Sequence, residues 1–253
     1  MKIIDAPIKE HLELDHNIYL LKVFAPEITT IIKPGQFLNI RVSDNIFPLL
    51  RRPFSVCDVQ GDNLYLMFNI MGQGTNILAH KPLESNIDIL GPLGNGFNLK
   101  GNYDTAVIVA GGLGAAPFPF FTRAVQDKKE ILTFIGGRTF HDVIKYGMKN
   151  IKVATDDGSE GFKGNVVQLL NENVALFKSK NVKFFACGPT PMLKALKTFC
   201  IDNEFECEAS TECAMACGFG ICQGCPIEST QNPEKYLLVC KDGPVFNMKD
   251  IVI

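Results

Sequence analysis

Four cysteines within thirteen residues, in the stretch CAMACGFGICQGC from Cys213 to Cys225, are the densest concentration of reactive side chains in the sequence. Cys217 and Cys222 are separated by four residues, Cys222 and Cys225 by two, and Cys240 follows after fourteen more. This is the plant-type C-x4-C-x2-C…C spacing for a [2Fe-2S] cluster, and it nominates Cys217, Cys222, Cys225 and Cys240 as metal ligands. Four thiolates must converge on one small object, with backbone amides turned toward the sulfurs. Gly218, Gly220 and Gly224 allow the positive φ angles and close backbone approach this requires. A closed zinc site uses the same ligand type, but zinc ribbons usually present two C-x2-C knuckles and only one such pair is present. Cys213 breaks the spacing of any tetrad it joins and is left unligated.

Two further stretches could receive phosphate-bearing groups. RRPFSV places the Arg52 guanidinium three residues before the Ser55 hydroxyl, with Pro53 holding the backbone between them extended. On its own this is equally a surface strand with a solvated arginine. NIMGQGTNIL puts Gly72, Gly74 and Thr75 in a turn entering a helix-compatible run, where exposed amides can meet a pyrophosphate.

The composition excludes several functions. With 46% hydrophobic residues, 21% charged residues and a formal net charge of -2, the chain has no basic field for nucleic acid. The N-terminus lacks the basic start and apolar run of a secretory signal. The longest apolar stretch, near Val107 to Phe121, is broken by Gly and Pro, so no membrane span is expected. Nine cysteines in such a chain imply a reducing, cytoplasmic setting, where thiols persist and metal binding outranks a disulfide framework. Cys200 and Cys207 read as small buried hydrophobes, and His11, His16, His80 and His141 as surface or structural residues.

These sites need elements to position them. Up to about residue 100, short bursts of Ile, Val, Leu, Phe and Tyr punctuated by Pro34-Gly35 and Gly61-Asp62 predict antiparallel strands closing a small barrel. At Asp104 the texture changes. DTAVIVAGGLGAAPFPFFTRAV reads as strand, glycine turn and helix, EILTFIGGRT as a second buried strand, and VKFFACGPTPMLKALKTFC repeats the strand, turn, helix order. That alternation predicts a parallel sheet with helices packed on it.

R-P-F-S, G-Q-G-T, GPLGNGF (Gly91 to Phe97), GGLGAAP (Gly111 to Pro117) and CGPTPM (Cys187 to Met192) occur in the order of the ferredoxin-NADP reductase superfamily, which the chain resembles over essentially its whole length. With the C-terminal cysteine loop added, it resembles within that superfamily the electron-transfer subunits of dihydroorotate dehydrogenase B. The resemblance implies a multidomain α/β plus β protein. Residues 1–100 would form an antiparallel β-barrel FAD domain, 101–205 an α/β parallel-sheet NAD-binding domain and 206–253 a small [2Fe-2S] domain.

It further implies that Arg52, Pro53, Phe54 and Ser55 lie along FAD, with Gly74 and Thr75 holding the pyrophosphate from the other side and Asn69, Ile70 and Met71 adding backbone contacts. Gly111, Gly112, Gly114 and Pro117 would form the turn for the pyridine nucleotide, departing from G-x-G-x-x-G in that Pro117 takes the last position. Cys187, Gly188 and Pro189 would close over the nicotinamide side, and Thr155 to Gly164 would lie beside the nucleotide. Arg138 stands where a guanidinium could meet a 2′-phosphate, but the resemblance favours NAD.

In the resembled enzymes an FMN-containing catalytic subunit oxidises dihydroorotate and passes electrons through the cluster and FAD to NAD+, in a heterotetramer of two of each subunit. No residue constellation in this sequence supplies a general base for dihydroorotate, so this chain would be an oxidoreductase subunit that is not self-sufficient. The alternatives are the small FAD/[2Fe-2S] subunit of another NAD(P)H-dependent complex of ferredoxin, sulfide or hydrogenase type, and a zinc-stapled module that binds nucleotide as a regulator.

Overall fold

A computed structural model describes residues 1–43, 45–232 and 234–253. Strands β1 (Lys2–Asp15), β2 (Ile18–Phe24), β3 (Phe37–Arg41), β4 (Arg52–Gln60), β5 (Asn63–Asn69) and β6 (Asn86–Leu93) close a barrel in the order β1-β2-β5-β4-β3-β6, with every pair antiparallel. Inward-facing Ile8, Leu21, Val23, Leu38, Ile40, Val56 and Leu66 fill it. Each such side chain contributes about 1.5–3 kcal/mol by leaving water. Gly61 takes φ +57° in the turn between β4 and β5, where a residue with a β-carbon would be strained. Two short helices, α1 (Pro26–Thr29) and α2 (Gln73–Ala79), cover the connections.

Beyond the barrel, β7 (Thr105–Gly111), β8 (Glu130–Gly137), β9 (Ile151–Thr155), β10 (Phe162–Lys163), β11 (Val182–Cys187) and β12 (Glu206–Ser210) run parallel in the order β10-β9-β8-β7-β11-β12. The connections carry α3 (Phe118–Val125), α4 (Val166–Glu172), α5 (Val174–Lys178) and α6 (Thr190–Asp202). All of β7 is buried. Ala106, Ile108 and Ala110 face one apolar layer, and Val107 and Val109 face the other, as a sheet covered on both sides requires. Asn165 caps α4 by accepting from the Gln168 N–H at 3.0 Å, and Gln168 Oε1 returns the contact to the Asn165 N–H at 2.9 Å.

The barrel and the sheet are tied together. Phe97, just past β6, stacks on Phe118 at 5.7 Å and meets Phe185 edge-on at 5.7 Å. Arg123 on α3 grips the buried carboxylate of Asp58 on β4 with two bonds, Nε to Oδ1 at 2.9 Å and Nη2 to Oδ2 at 2.6 Å.

The sheet runs past residue 205. β12 pairs with β11, and after a hairpin of β13 (Pro226–Glu228) and β14 (Tyr236–Leu238) the chain returns as β15 (Val245–Asn247), antiparallel to β12 at the sheet edge. The cysteine loop is therefore an excursion between two strands of one sheet, which fixes both of its ends. Periodicity could not reveal this, because the connection is a loop and hairpin where the earlier crossovers use helices.

Candidate functional site

The loop leaving β12 carries the thiols. Cys225 and Cys240 are buried with their sulfurs 3.1 Å apart, and the Cys240 N–H points at Cys225 Sγ at 3.5 Å. Cys217 and Cys222 form the second pair: the Cys222 N–H points at Cys217 Sγ at 3.5 Å. Burial pushes the Cys217 thiol up, but the backbone N–H groups of Cys222, Phe219 and Ile221 outweigh it and hold the thiol down at about 6. Cys240 goes the other way, to about 12, through burial, its bond with Cys225 and the charges of Cys225 and Cys217, against the Gly220 amide.

Gly218 and Gly220 take φ +80° and +91°. Gly224 does not. The third left-handed position is Gln223 at +59°, and Gly224 instead leaves space beside Cys222 Sγ, 3.4 Å from where its β-carbon would stand. Among the described residues no three His, Cys, Asp or Glu side chains converge as a single-ion site. Two pairs of thiols, with amides aimed at the sulfurs, match the donor set of a two-iron rhomb, which needs two thiolates on each iron. On the barrel side, Asn39 on β3 donates from Nδ2 to the Cys217 carbonyl at 3.1 Å.

A cleft of about 250 Å3 lies where the three regions meet. The barrel contributes Pro53, Phe54, Ser55, Asn69, Met71 and Thr75; the turn after β7 contributes Leu113 and Pro117; β11 and β12 contribute Cys187 and Ser210 at their carboxyl ends. Arg52 stands against Gly74, whose missing β-carbon leaves 3.1 Å to Arg52 Nε. Thr75 Oγ1 accepts the N–H of Met71 at 2.9 Å and of Gly72 at 3.3 Å, which closes the turn into α2.

Ile70 stays out of the cleft. Its N–H donates to Asn17 Oδ1 at 3.0 Å and its carbonyl accepts from Asn17 Nδ2 at 3.3 Å, so both of its backbone groups are already engaged. Cys187 is buried, and burial followed by the charge of Glu212 pushes its thiol up to about 12, against a hydrogen bond with Ser210.

A second cavity of about 570 Å3 opens along the carboxyl ends of β7, β8 and β9 and is lined by Gly111, Gly112, Gly137, Arg138, Asp142 and Asp156 among others. Gly112 has φ +53° and open space where a β-carbon would stand, whereas a β-carbon on Gly114 would strike the Cys187 carbonyl and one on Gly188 would reach Met192. The turns after β7 and β11 therefore pass each other backbone to backbone, with Pro189 beside them. Arg138 is held by Asp142, Nε to Oδ2 at 3.2 Å, with its own N–H on the same oxygen at 3.1 Å. Burial pushes the Asp142 carboxyl up, but these bonds hold it below its usual value.

Thr211, Glu212, Cys213 and Met215 also line the cleft, and motif reading did not find them. Their signal is positional, since they follow β12 at the carboxyl edge of the parallel strands, where open α/β sheets bind ligands. None of the four histidines lines the cleft. His11 Nε2 lies 2.8 Å from the Lys81 carbonyl and His80 Nδ1 2.9 Å from that of Asn76.

Comparison with known proteins bears on all of this. Residues 212–252 match the family described as the iron-sulfur cluster binding domain of dihydroorotate dehydrogenase B. The dihydroorotate dehydrogenase B (NAD(+)) electron transfer subunit of Bacillus velezensis is 34% identical, with both chains fully covered. That of Desulforamulus reducens is 32% identical over 99% of this chain and 98% of its own. Among solved structures, an NADH-dependent reduced ferredoxin-NADP oxidoreductase superposes with a TM-score of 0.86 at 24% identity, covering 98% of this chain and 89% of that one. A ferredoxin NADP+ reductase from Neisseria gonorrhoeae with bound FAD and NADP gives 0.67 at 17%, covering 80% and 92%. At these identities the solved structures speak for the fold, an antiparallel barrel followed by a parallel-sheet domain.

Proposed function

The chain belongs to the family of dihydroorotate dehydrogenase B electron transfer subunits, and on that premise we propose that it carries electrons from a dihydroorotate-oxidising partner to NAD+ in pyrimidine biosynthesis. The partner in this reading bears FMN, and the working complex holds two copies of each chain. One convergence carries the reading: the R-P-F-S strand, the glycine turn after β7 and the residues leading into the thiol pairs all line a single cleft. A bound FAD would supply the exchange between a hydride and single electrons, and a [2Fe-2S] centre the one-electron inlet from the partner.

The protein's own residues would hold these groups. Arg52 offers its guanidinium across the bare face of Gly74, a cation and an open turn suited to a pyrophosphate. Pro53, Phe54 and Ser55 form one wall of the cleft, and Asn69, Met71 and Thr75 add to its lining. Ile70, pinned by Asn17, sets the path of that segment rather than touching a ligand.

Gly111, Gly112 and Pro189 line the second cavity, which would take a dinucleotide, while Gly114 and Gly188 let the two turns pack closely behind it and Pro117 stands beside the cleft. The Cys187 thiol, held up at about 12, presents a neutral S–H to the nicotinamide side rather than a nucleophilic thiolate. NAD is favoured over NADP because Asp142 already occupies Arg138 and Asp156 lies in the same cavity.

The relatives are named as electron transfer subunits, and on that ground the oxidation of dihydroorotate is assigned to the partner. A reducing, cytoplasmic setting is part of this reading, and among the described residues no helix is long and apolar enough to cross a membrane.

The test compares the purified chain, alone and reconstituted with the catalytic subunit of a relative. NADH should bleach the visible spectrum of the chain alone, while orotate should form only in the mixture. Orotate production by the chain alone would overturn the division of labour.

A further inference from the structure

The strand that carries Arg52 to Ser55 and the helix that follows the Gly111 to Pro117 turn are held to each other by a directional contact. On β4, Phe54 and Val56 point into the barrel, and Cys57 points out into the apolar cluster that holds Phe97, Phe118 and Phe121. Strict alternation would return Asp58 to the barrel interior. A register shift in the pairing with β5, between Val56 and Asp58, interrupts it. Val59 takes the inward place instead, and the Asp58 carboxylate is delivered to Arg123 on α3. A bulge that re-aims a side chain is a recurrent device beside functional sites.

Both carboxylate oxygens are occupied a second time. Oδ1 also accepts the Val59 N–H at 2.9 Å, and Oδ2 also accepts Gln60 Nε2 at 2.8 Å, so Asp58 is fixed to its own strand while Arg123 is fixed to Asp58. The phenylalanine contacts across the same seam are apolar and non-directional. Two parallel bonds between a planar guanidinium and a carboxylate set an angle as well as a distance. Each partner stands a short lever from the cleft. Ser55 lies three residues before Asp58, ~10 Å along the strand. Pro117 lies six residues before Arg123, ~9 Å along the helix. Both Ser55 and Pro117 line the cleft.

We propose that Asp58 and Arg123 are positioning residues for electron transfer between the two ligand sites: their ion pair sets the angle at which the turn after β7 presents a pyridine nucleotide to a flavin lying against Ser55. This rests on the reading of those two sites given above, and its test is chosen to separate the two.

The full chain with bound FAD is mixed anaerobically with NADH, for the native protein, Arg123→Lys and Asp58→Asn. The bleaching rate at saturating NADH, the NADH concentration at half saturation and the long-wavelength charge-transfer absorbance of the complex are read, together with NAD+ affinity of the FAD-free chain by dialysis. Lysine keeps the charge without the planar fork, and asparagine keeps the shape without the charge. Each variant should lower the saturating rate about 10- to 100-fold, because misplacing reacting groups by about 1 Å costs on that order. The charge-transfer band should weaken with it, while half saturation and the NAD+ affinity of the FAD-free chain stay within about twofold of native. A saturating rate and band unchanged in both variants overturn the proposal. Loss of folded protein, of FAD or of nucleotide affinity in parallel with the rate also overturns it, by making the pair a general support of the fold. If NADH does not bleach the native protein, the assignment of the two sites fails first and the proposal falls with it.

Discussion

The Arg52 guanidinium lies against the bare face of Gly74, with Nε 3.1 Å from the point a β-carbon would occupy. The two lie twenty-two positions apart in sequence, one on β4 and the other in the first turn of α2, and their contact makes a cationic recess from two motifs that are ordinary alone. Replacing Arg52 by Ala should weaken FAD retention roughly 10- to 100-fold, because a hydrogen bond to a charged group is worth about 1.5–3 kcal/mol. Gly74→Ala should weaken it in the same direction by displacing the guanidinium. Equilibrium dialysis of FAD against the apoprotein measures both, and unchanged affinity in Arg52→Ala would remove this recess from the site.

The two thiol pairs predict an unequal response to cysteine replacement. Serine at Cys217, Cys222, Cys225 or Cys240 should each lower bound iron and the visible charge-transfer bands. Cys200→Ser and Cys207→Ser, both buried away from the loop, should leave iron unchanged. Colorimetric iron assay and absorption spectra read the outcome, and a variant at Cys225 or Cys240 with full iron would break the assignment.

Cys217 should be the reactive thiol of the metal-free chain. Its folded value is about 6 against an ordinary 9.0, so between those values the folded chain has lost a proton that the unfolded chain retains. The folded state therefore gains stability as pH rises through this window and loses it as pH falls toward 6. Alkylation of the apoprotein at pH 7, mapped by mass spectrometry, should label Cys217 well before Cys187 or Cys240, both held near 12. Equal labelling of the three would contradict the role of the loop amides.

Asp142 should decide which pyridine nucleotide is accepted. Asp142→Asn keeps an acceptor for the Arg138 N–H but frees the guanidinium, so the preference for NADH over NADPH should narrow by about tenfold, equivalent to about 1.4 kcal/mol. Arg138→Ala in the same background should cancel the gain. Bleaching rates of the bound flavin with each nucleotide test the pair, and a preference unmoved by Asp142→Asn would place the selectivity elsewhere.

Contacts carried by local sequence were legible without coordinates. The C-x4-C-x2-C spacing names its thiols because a short loop confines them, and Gly218 and Gly220 adopt the positive φ angles expected of them. β7 and β11 announce themselves as unbroken apolar runs because both faces of a parallel sheet are covered. Even α4, which the motif reading passed over, carries its signal locally in the Asn165–Gln168 cap.

Only the tertiary structure decided what these pieces do to one another. That Ile70 is sealed by Asn17, that Gly114 passes under the Cys187 carbonyl, and that Ser210 to Met215 turn the end of β12 into the wall of the cleft are contacts between distant segments. The sequence determined the thiol spacing and the elements, since spacing and periodicity act over a few residues. Which surfaces meet depends on how the barrel and sheet pack around Phe97, Phe118 and Phe185, and that packing is settled by the burial of many side chains at once rather than by any stretch of chain.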